Sequence, residues 1–157
     1  MTYEELLLEA ETSGIAIKEL PLQSSDGRIK GKRIAIRRDI PTLAKKADVL
    51  AEELGHYYTS VGRIVEQDSV NARKQERTAR LWAYNKRIGL TGILKAFQNH
   101  CSSRYEIAEY LGVSEDTLTE ALEYYRQIYG DGVMVDNYLV RFEPTLQVYE
   151  YFPVVSP

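Results

Sequence analysis

Cysteine is nearly absent from the chain: Cys101 is the only one in 157 residues. No internal disulfide can form and no cysteine-rich zinc site can be built, which fits a cytosolic setting best. Long apolar runs are missing too, and none approaches the roughly 18 residues that read as a membrane span. The opening Met-Thr-Tyr-Glu-Glu-Leu-Leu-Leu-Glu is acidic and amphipathic, without the basic segment and apolar stretch of a signal peptide. There is no surplus of positive charge. Twenty Lys and Arg stand against 23 Asp and Glu, a net charge of -3, which argues against nucleic acid as the main partner. Histidine is scarce, with only His56 and His100. Internal repeats, low-complexity tracts and a clear interdomain linker are also lacking.

What remains is ordinary globular material, 44% apolar and 27% charged. It is enough for a core without covalent staples, in one compact unit or a domain with a small lobe. Twelve tyrosines are expected to fill a half-wet core and surface grooves. Residues 3–13 read as a helix with Leu6, Leu7 and Ala10 on one side and Gly14 as its stop. Ile15, Ile17 and Leu20 alternate as a short strand, and 23–28 read as a turn or loop. Lys32 to Arg38 alternates again, with Ile34 and Ile36 facing one way, and its basic outer face suits an edge strand.

Pro41-Thr42 then opens a helix of about 17 residues. Leu43, Ala47, Leu50, Leu54, Tyr57 and Val61 recur at spacings of three and four and form its buried stripe. A loop is expected over 62–69, and a second long helix from about Val70 to Ile88, with Gly89 as its cap. Ala72, Glu76, Ala79 and Ala83 share one stripe of that helix. Thr91 can cap a short helix to about Asn99, and Ser103-x-x-Glu106 is a capping box for another that ends at Gly112. Ser114 caps a further helix to about Tyr129. Val133 to Phe142, with Asp136-Asn137 between apolar stretches, reads as a β-hairpin. The expected fold class is α+β: a helical bundle beside a small antiparallel sheet, with a C-terminal hairpin. Residues 1–100 would form the core unit, and 101–157 a helical hairpin and β-hairpin packed on it.

The residues with chemistry in them lie between Ala47 and Thr59. Glu52 and His56 fall one turn apart, roughly half a helical turn from the apolar stripe, and Glu53 sits on the flank. A ligand at i, a carboxylate base at i+1 and a ligand at i+4 are the spacing of a zinc-peptidase helix. A third ligand must come from elsewhere. Glu76 is the natural candidate, because its alanine neighbours would let the second helix lie against the ligand face. Glu53 would then take a proton from the water that attacks a peptide carbonyl and pass it to the leaving amine. Ordinary surface ion pairs account for the same residues: Glu52 could meet a lysine, and Glu76 has Arg73 and Arg80 within one turn. His100, a lone imidazole near a helix end, reads as a surface or capping residue.

Ala51-Glu-Glu-Leu-Gly-His-Tyr57 resembles the core motif of the ImmA/IrrE family of metallopeptidases, which are zincin-like and gluzincin-like. Gln75-Glu76-Arg77-Thr78-Ala79 is similar to the family's Glu-x-x-Ala segment. Lys30-Gly-Lys-Arg-Ile-Ala-Ile36 is similar to its substrate-side edge strand, and Tyr105 to Leu118 resembles a helical segment of prophage and mobile-element members. The likeness covers about residues 1–150. It implies a zinc-dependent endopeptidase with Glu52, His56 and Glu76 as ligands and Glu53 as general base. It also implies a protein substrate, a helix-turn-helix repressor whose loss induces a phage or mobile element. The departure is Glu52, which stands where the family has its first histidine. Carboxylate oxygens bind zinc, but two anionic ligands acidify water less than two imidazoles would. Weaker activity, preference for another divalent metal, or binding without cleavage would each follow. The rival function is thus a non-catalytic anti-repressor that sequesters its target.

Glu106 to Leu122 has the rhythm of a DNA-binding helix-turn-helix, which offers a second rival, a DNA-binding regulator. Its would-be recognition helix carries Glu115, Asp116, Glu120 and Glu123, which would meet phosphate with like charge, so packing or protein docking is the simpler reading. The cluster Arg73, Lys74, Arg77, Arg80, Lys86 and Arg87 reads as a solvated helix face or a dock for an acidic partner. Neither direct nucleic-acid binding nor a membrane is expected, and the sequence leaves the oligomeric state open.

Overall fold

The computed structural model describes residues 1–60 and 69–151. Helix α1 (Tyr3–Thr12) starts at a reciprocal cap, in which Glu5 N donates to the Thr2 hydroxyl and Thr2 N to the Glu5 carboxylate. Three strands follow: β1 (Ala16–Leu20), β2 (Gly27–Lys30) and β3 (Arg33–Arg37). Two long helices, α2 (Leu43–Ser60) and α3 (Ser69–Arg87), form the centre. They lead into α4 (Gly89–Gln98), α5 (Arg104–Leu111) and α6 (Glu115–Tyr129). The described chain ends in β4 (Gly132–Val135), β5 (Tyr138–Arg141) and β6 (Gln147–Glu150). The fold is α+β, as the alternating periods of the sequence imply.

The first sheet runs in the order β1-β3-β2. It is mixed and not purely antiparallel, because β1 pairs with β3 in parallel while β2 and β3 form a hairpin. β3 is therefore the central strand, which corrects its reading as an edge. Its basic residues face solvent by alternation, but both of its hydrogen-bonding sides are taken. The loop expected over 23–28 gives way to β2 from Gly27 onward; Asp26-Gly27 reads as a turn in the sequence, and Ile29 is the strand's only apolar side chain. The C-terminal hairpin gains β6 as a third antiparallel strand.

Two apolar cores meet on α3. The first packs Leu6, Ile34, Ile36, Leu50 and Leu54 between α1, the inner sheet face and α2, and reaches Ala83. The second begins at Tyr84 and gathers Ile93, Leu118, Tyr125 and Val140 from α4, α6 and β5. Leu50 and Leu54 are almost fully enclosed, and each contributes about 1.5–3 kcal/mol relative to exposure. The expected stripe of α2 holds for Ala47, Leu50 and Leu54. Tyr57 packs at the margin of that core. Leu43 is 63% exposed, because it lies in the first turn, which Thr42 caps beyond the core. Val61 and the loop expected over 62–69 lie outside the described residues, apart from Ser69, which opens α3. α4 starts at Gly89, so Thr91 sits in its first turn and does not cap it. Ser103 caps α5 as expected, but Glu106 reaches back to Ser102 and not to Ser103.

A glycine sets the spacing of the central pair. A methyl group on Gly55 would lie 2.3 Å from the Ala79 carbonyl oxygen, so only glycine lets α3 lie this close to α2. Gly55→Ala is expected to cost about 1–3 kcal/mol through overpacking. It should also weaken divalent-cation binding, because α3 carries Glu76. A thermal melt with a parallel zinc titration checks both; an unchanged melting temperature would contradict the close contact.

Candidate metal centre

The close approach of α2 and α3 brings three side chains to one point. Glu52 and His56 rise one turn apart from α2, and Glu76 meets them from α3. One ligand atom from each lies within 4.8 Å of the others. His56 Nε2 is 3.1 Å from Glu76 Oε2. All three residues are half-buried, because the face of α2 opposite its apolar stripe is covered by α3. Gly55 on α2 and Ala79 on α3 do most of the work the sequence assigned to the alanine stripe, while Ala72 is only half-buried.

Arg80 completes the cluster. Its Nε lies 3.1 Å from Glu76 Oε1 and 3.5 Å from Glu52 Oε1. The ion pair foreseen between Glu76 and Arg80 therefore exists, within the same constellation as the candidate ligands. Burial and a hydrogen bond with Glu76 push the Glu52 carboxyl up to about 7. Burial works in the same direction on Glu76. There it is outweighed by the hydrogen bond from Glu52 and the charges of His56 and Arg80, so Glu76 is held below its ordinary value. Desolvation would lower Arg80, but the Glu52 and Glu76 carboxylates more than offset it, and the guanidinium is raised. One imidazole nitrogen with two carboxylate oxygens suits zinc or another divalent cation.

Glu53 stands beside this cluster. Burial raises its carboxyl above the usual range, and the His56 charge pulls the other way. Its position is fixed by β2. A methyl on Gly27 would sit 2.9 Å from Glu53 Oε1 and 2.8 Å from Val49 Cγ1, so glycine lets the edge strand pass directly over the carboxylate. The edge strand over Glu53 is thus β2, of which the segment singled out from the sequence, Lys30 to Ile36, includes only Lys30; Arg33 to Ile36 belong to the central strand β3. A cleft of about 250 Å³ opens next to Glu52, lined by Val49, Arg80, Tyr84, Asp116 and Glu120 among others.

The remaining residues that drew attention in the sequence fall away from the site. His100 is exposed, with a positive φ of 62°, just past the end of α4. The basic cluster of α3 is not a single solvated face. Arg77 lies over the Tyr124 ring and donates to Gln127, Lys86 pairs with Glu9, and Arg87 is buried against Asp48. Arg73, Lys74 and Arg77 are exposed, whereas Arg80 and Lys86 are half-buried and Arg87 is buried. The helix-turn-helix look-alike, α5 and α6, is tied to α2: Ser114 N and the Thr117 hydroxyl both donate to Asp48 Oδ2. Sequence reasoning missed the bridging position of Arg80 and the role of Asp48. No spacing signal marks either, since both depend on how two helices dock.

The family model described as the IrrE N-terminal-like domain, a peptidase family, matches residues 10–123. The match takes in the sheet, both central helices and most of α6. No curated protein and no solved structure matches the chain significantly. With the motif helix and the Glu76 helix both inside the matched span, the chain belongs to the ImmA/IrrE family of metallopeptidases.

Proposed function

We propose that the protein is a zinc-dependent endopeptidase acting on a helix-turn-helix repressor in the cytoplasm, so that a phage or mobile element is induced. The observation that carries the peptidase reading is the convergence of Glu52, His56 and Glu76 within 4.8 Å, with Glu53 one residue from the first ligand. A divalent cation held by these three would polarise the scissile carbonyl and acidify the attacking water. Glu53 takes the proton of that water as its oxygen bonds to the carbonyl carbon. It then delivers the proton to the amide nitrogen as the C–N bond breaks. Its burial-raised carboxyl suits this exchange, because a base with a pKa nearer neutrality both accepts and returns a proton readily. β2 lies over Glu53 and keeps its outer hydrogen-bonding edge unpaired among the described residues, which an extended substrate could extend as a further strand.

The anti-repressor reading draws on one observation. Arg80 gives Glu52 and Glu76 a cationic partner of their own, so the cluster is partly compensated without a metal. The DNA-regulator reading is weakened by Asp48, which engages the start of α6 and ties it to α2. The test is incubation of the purified protein and zinc with a candidate repressor, read by mass spectrometry. Defined fragments that vanish with chelator are the expected result. Stable complex formation without fragments would favour sequestration instead. Glu76→Gln is expected to weaken zinc binding by about tenfold or more, as loss of one of three ligands should, and calorimetry reads it directly.

A further inference from the structure

The solvent face of the first sheet is strongly basic. Strand alternation places Lys18, Arg28, Lys30 and Arg33 outward, each exposed. Arg37 shares this face but is held by Asp26 and Asp39. No carboxylate occupies an outward position on the three strands, although the chain as a whole is acidic. The register sets out the pattern. Lys18 and Arg28 flank Ala35 in one row across the sheet, and in the next Arg33 stands between Ala16 and Lys30. The twist of the sheet makes this face a shallow trough of about 580 Å³ with Ala16, Ala35 and Leu20 on its floor. Lys18 and Arg28 sit two strands apart, about 10 Å, a width that admits one extended polypeptide.

We infer that this trough is an exosite for an acidic, extended segment of the polypeptide substrate. The inference rests on the peptidase reading for its biological meaning. Charge complementarity identifies the occupant: four cations without an ion pair among the described residues, walling a floor of small apolar side chains. Continuity with the centre supports it, because β2 supplies both Arg28 and Lys30 to the trough and Gly27 to the Glu53 carboxylate. The trough is the outer face of β2 and Glu53 lies under its inner face, so a segment seated there reaches the reacting groups by passing round the free β2 edge. Single-stranded nucleic acid fits less well, since the trough has no aromatic ring on which a base could stack.

The test is binding, measured without cleavage. A fluorescent poly-glutamate peptide is titrated into the full chain and into its Glu53→Gln variant, with a single-stranded oligonucleotide of matching charge in parallel. The peptide is expected to bind both proteins equally and to weaken as salt rises. The fourfold variant K18E/R28E/K30E/R33E should bind it about tenfold or more weakly, since several exposed pairs act together. The milder R28Q/R33Q variant should fall between, and circular dichroism of both shows that the fold persists. Unchanged affinity in a folded variant overturns the exosite, as does tighter binding of the oligonucleotide. Because no bond is broken in the assay, a failure of the peptidase reading leaves this result intact, and the reverse also holds.

Discussion

Glu53→Gln is expected to remove peptide hydrolysis by about a hundredfold to ten-thousandfold, while the protein still folds and still binds zinc. The amide keeps the size of the carboxylate and its place beneath β2, where Gly27 leaves room for it. It cannot accept the proton of the attacking water or return one to the leaving amine. Glu53 is not among the three groups that converge on the candidate ion, so affinity for the cation should change little. Initial rates on a cleaved repressor, with metal content measured on the same sample, separate the two effects. Loss of cleavage together with loss of metal would move Glu53 from the chemistry to the ligand set. Full activity would remove it from the mechanism.

Arg87→Met is expected to give the largest loss of stability, about 3–5 kcal/mol. The Arg87 side chain is only 1% exposed, and it lies 3.1 Å from Asp48 Oδ1. The same guanidinium donates to the carbonyl oxygens of Ala44, Gly112 and Met1. These groups come from the chain start, from α2 and from the end of α5, so one side chain joins three parts of the fold. Methionine fills much of the volume but leaves the Asp48 charge buried without its partner and leaves the three carbonyls short of a donor. Breaking such a pair costs far more than the pair contributes against an apolar replacement. At roughly 2–4 °C per kcal/mol for a chain of this size, the melting temperature should fall by about 6–20 °C. Differential scanning calorimetry measures it. A shift of less than about 2 °C would mean that the network is dispensable.

Much of this architecture is legible in the residue pattern, and the exceptions have physical causes. Ser103, Gly112 and Ser114 fix the ends of α5 and α6 because caps act locally, through hydrogen bonds and backbone angles of the residues themselves. The spacing of Glu52, Glu53 and His56 is likewise a property of one helix. Glu76 could be proposed because its alanine neighbours announce a close helix contact, yet the contact itself is made by Gly55 against Ala79. That pairing of two distant positions has no signature in either segment alone. β2 escaped notice because a four-residue strand with one apolar side chain is indistinguishable from loop until its partner is known. The basic residues of α3 look like one patch in sequence, but Arg77, Arg80, Lys86 and Arg87 each turn to a different neighbour once the helices dock. Arg80 is the instructive case: it reads as a solvated cation and stands between two candidate metal ligands.

The most direct trial of this account is a zinc titration into metal-stripped protein by calorimetry. About one ion per chain is expected, as for a three-ligand site, with binding lost in His56→Ala and sharply weakened in Glu76→Gln. Failure to bind any divalent cation, or binding that ignores both substitutions, would contradict the claim that Glu52, His56 and Glu76 form a metal centre.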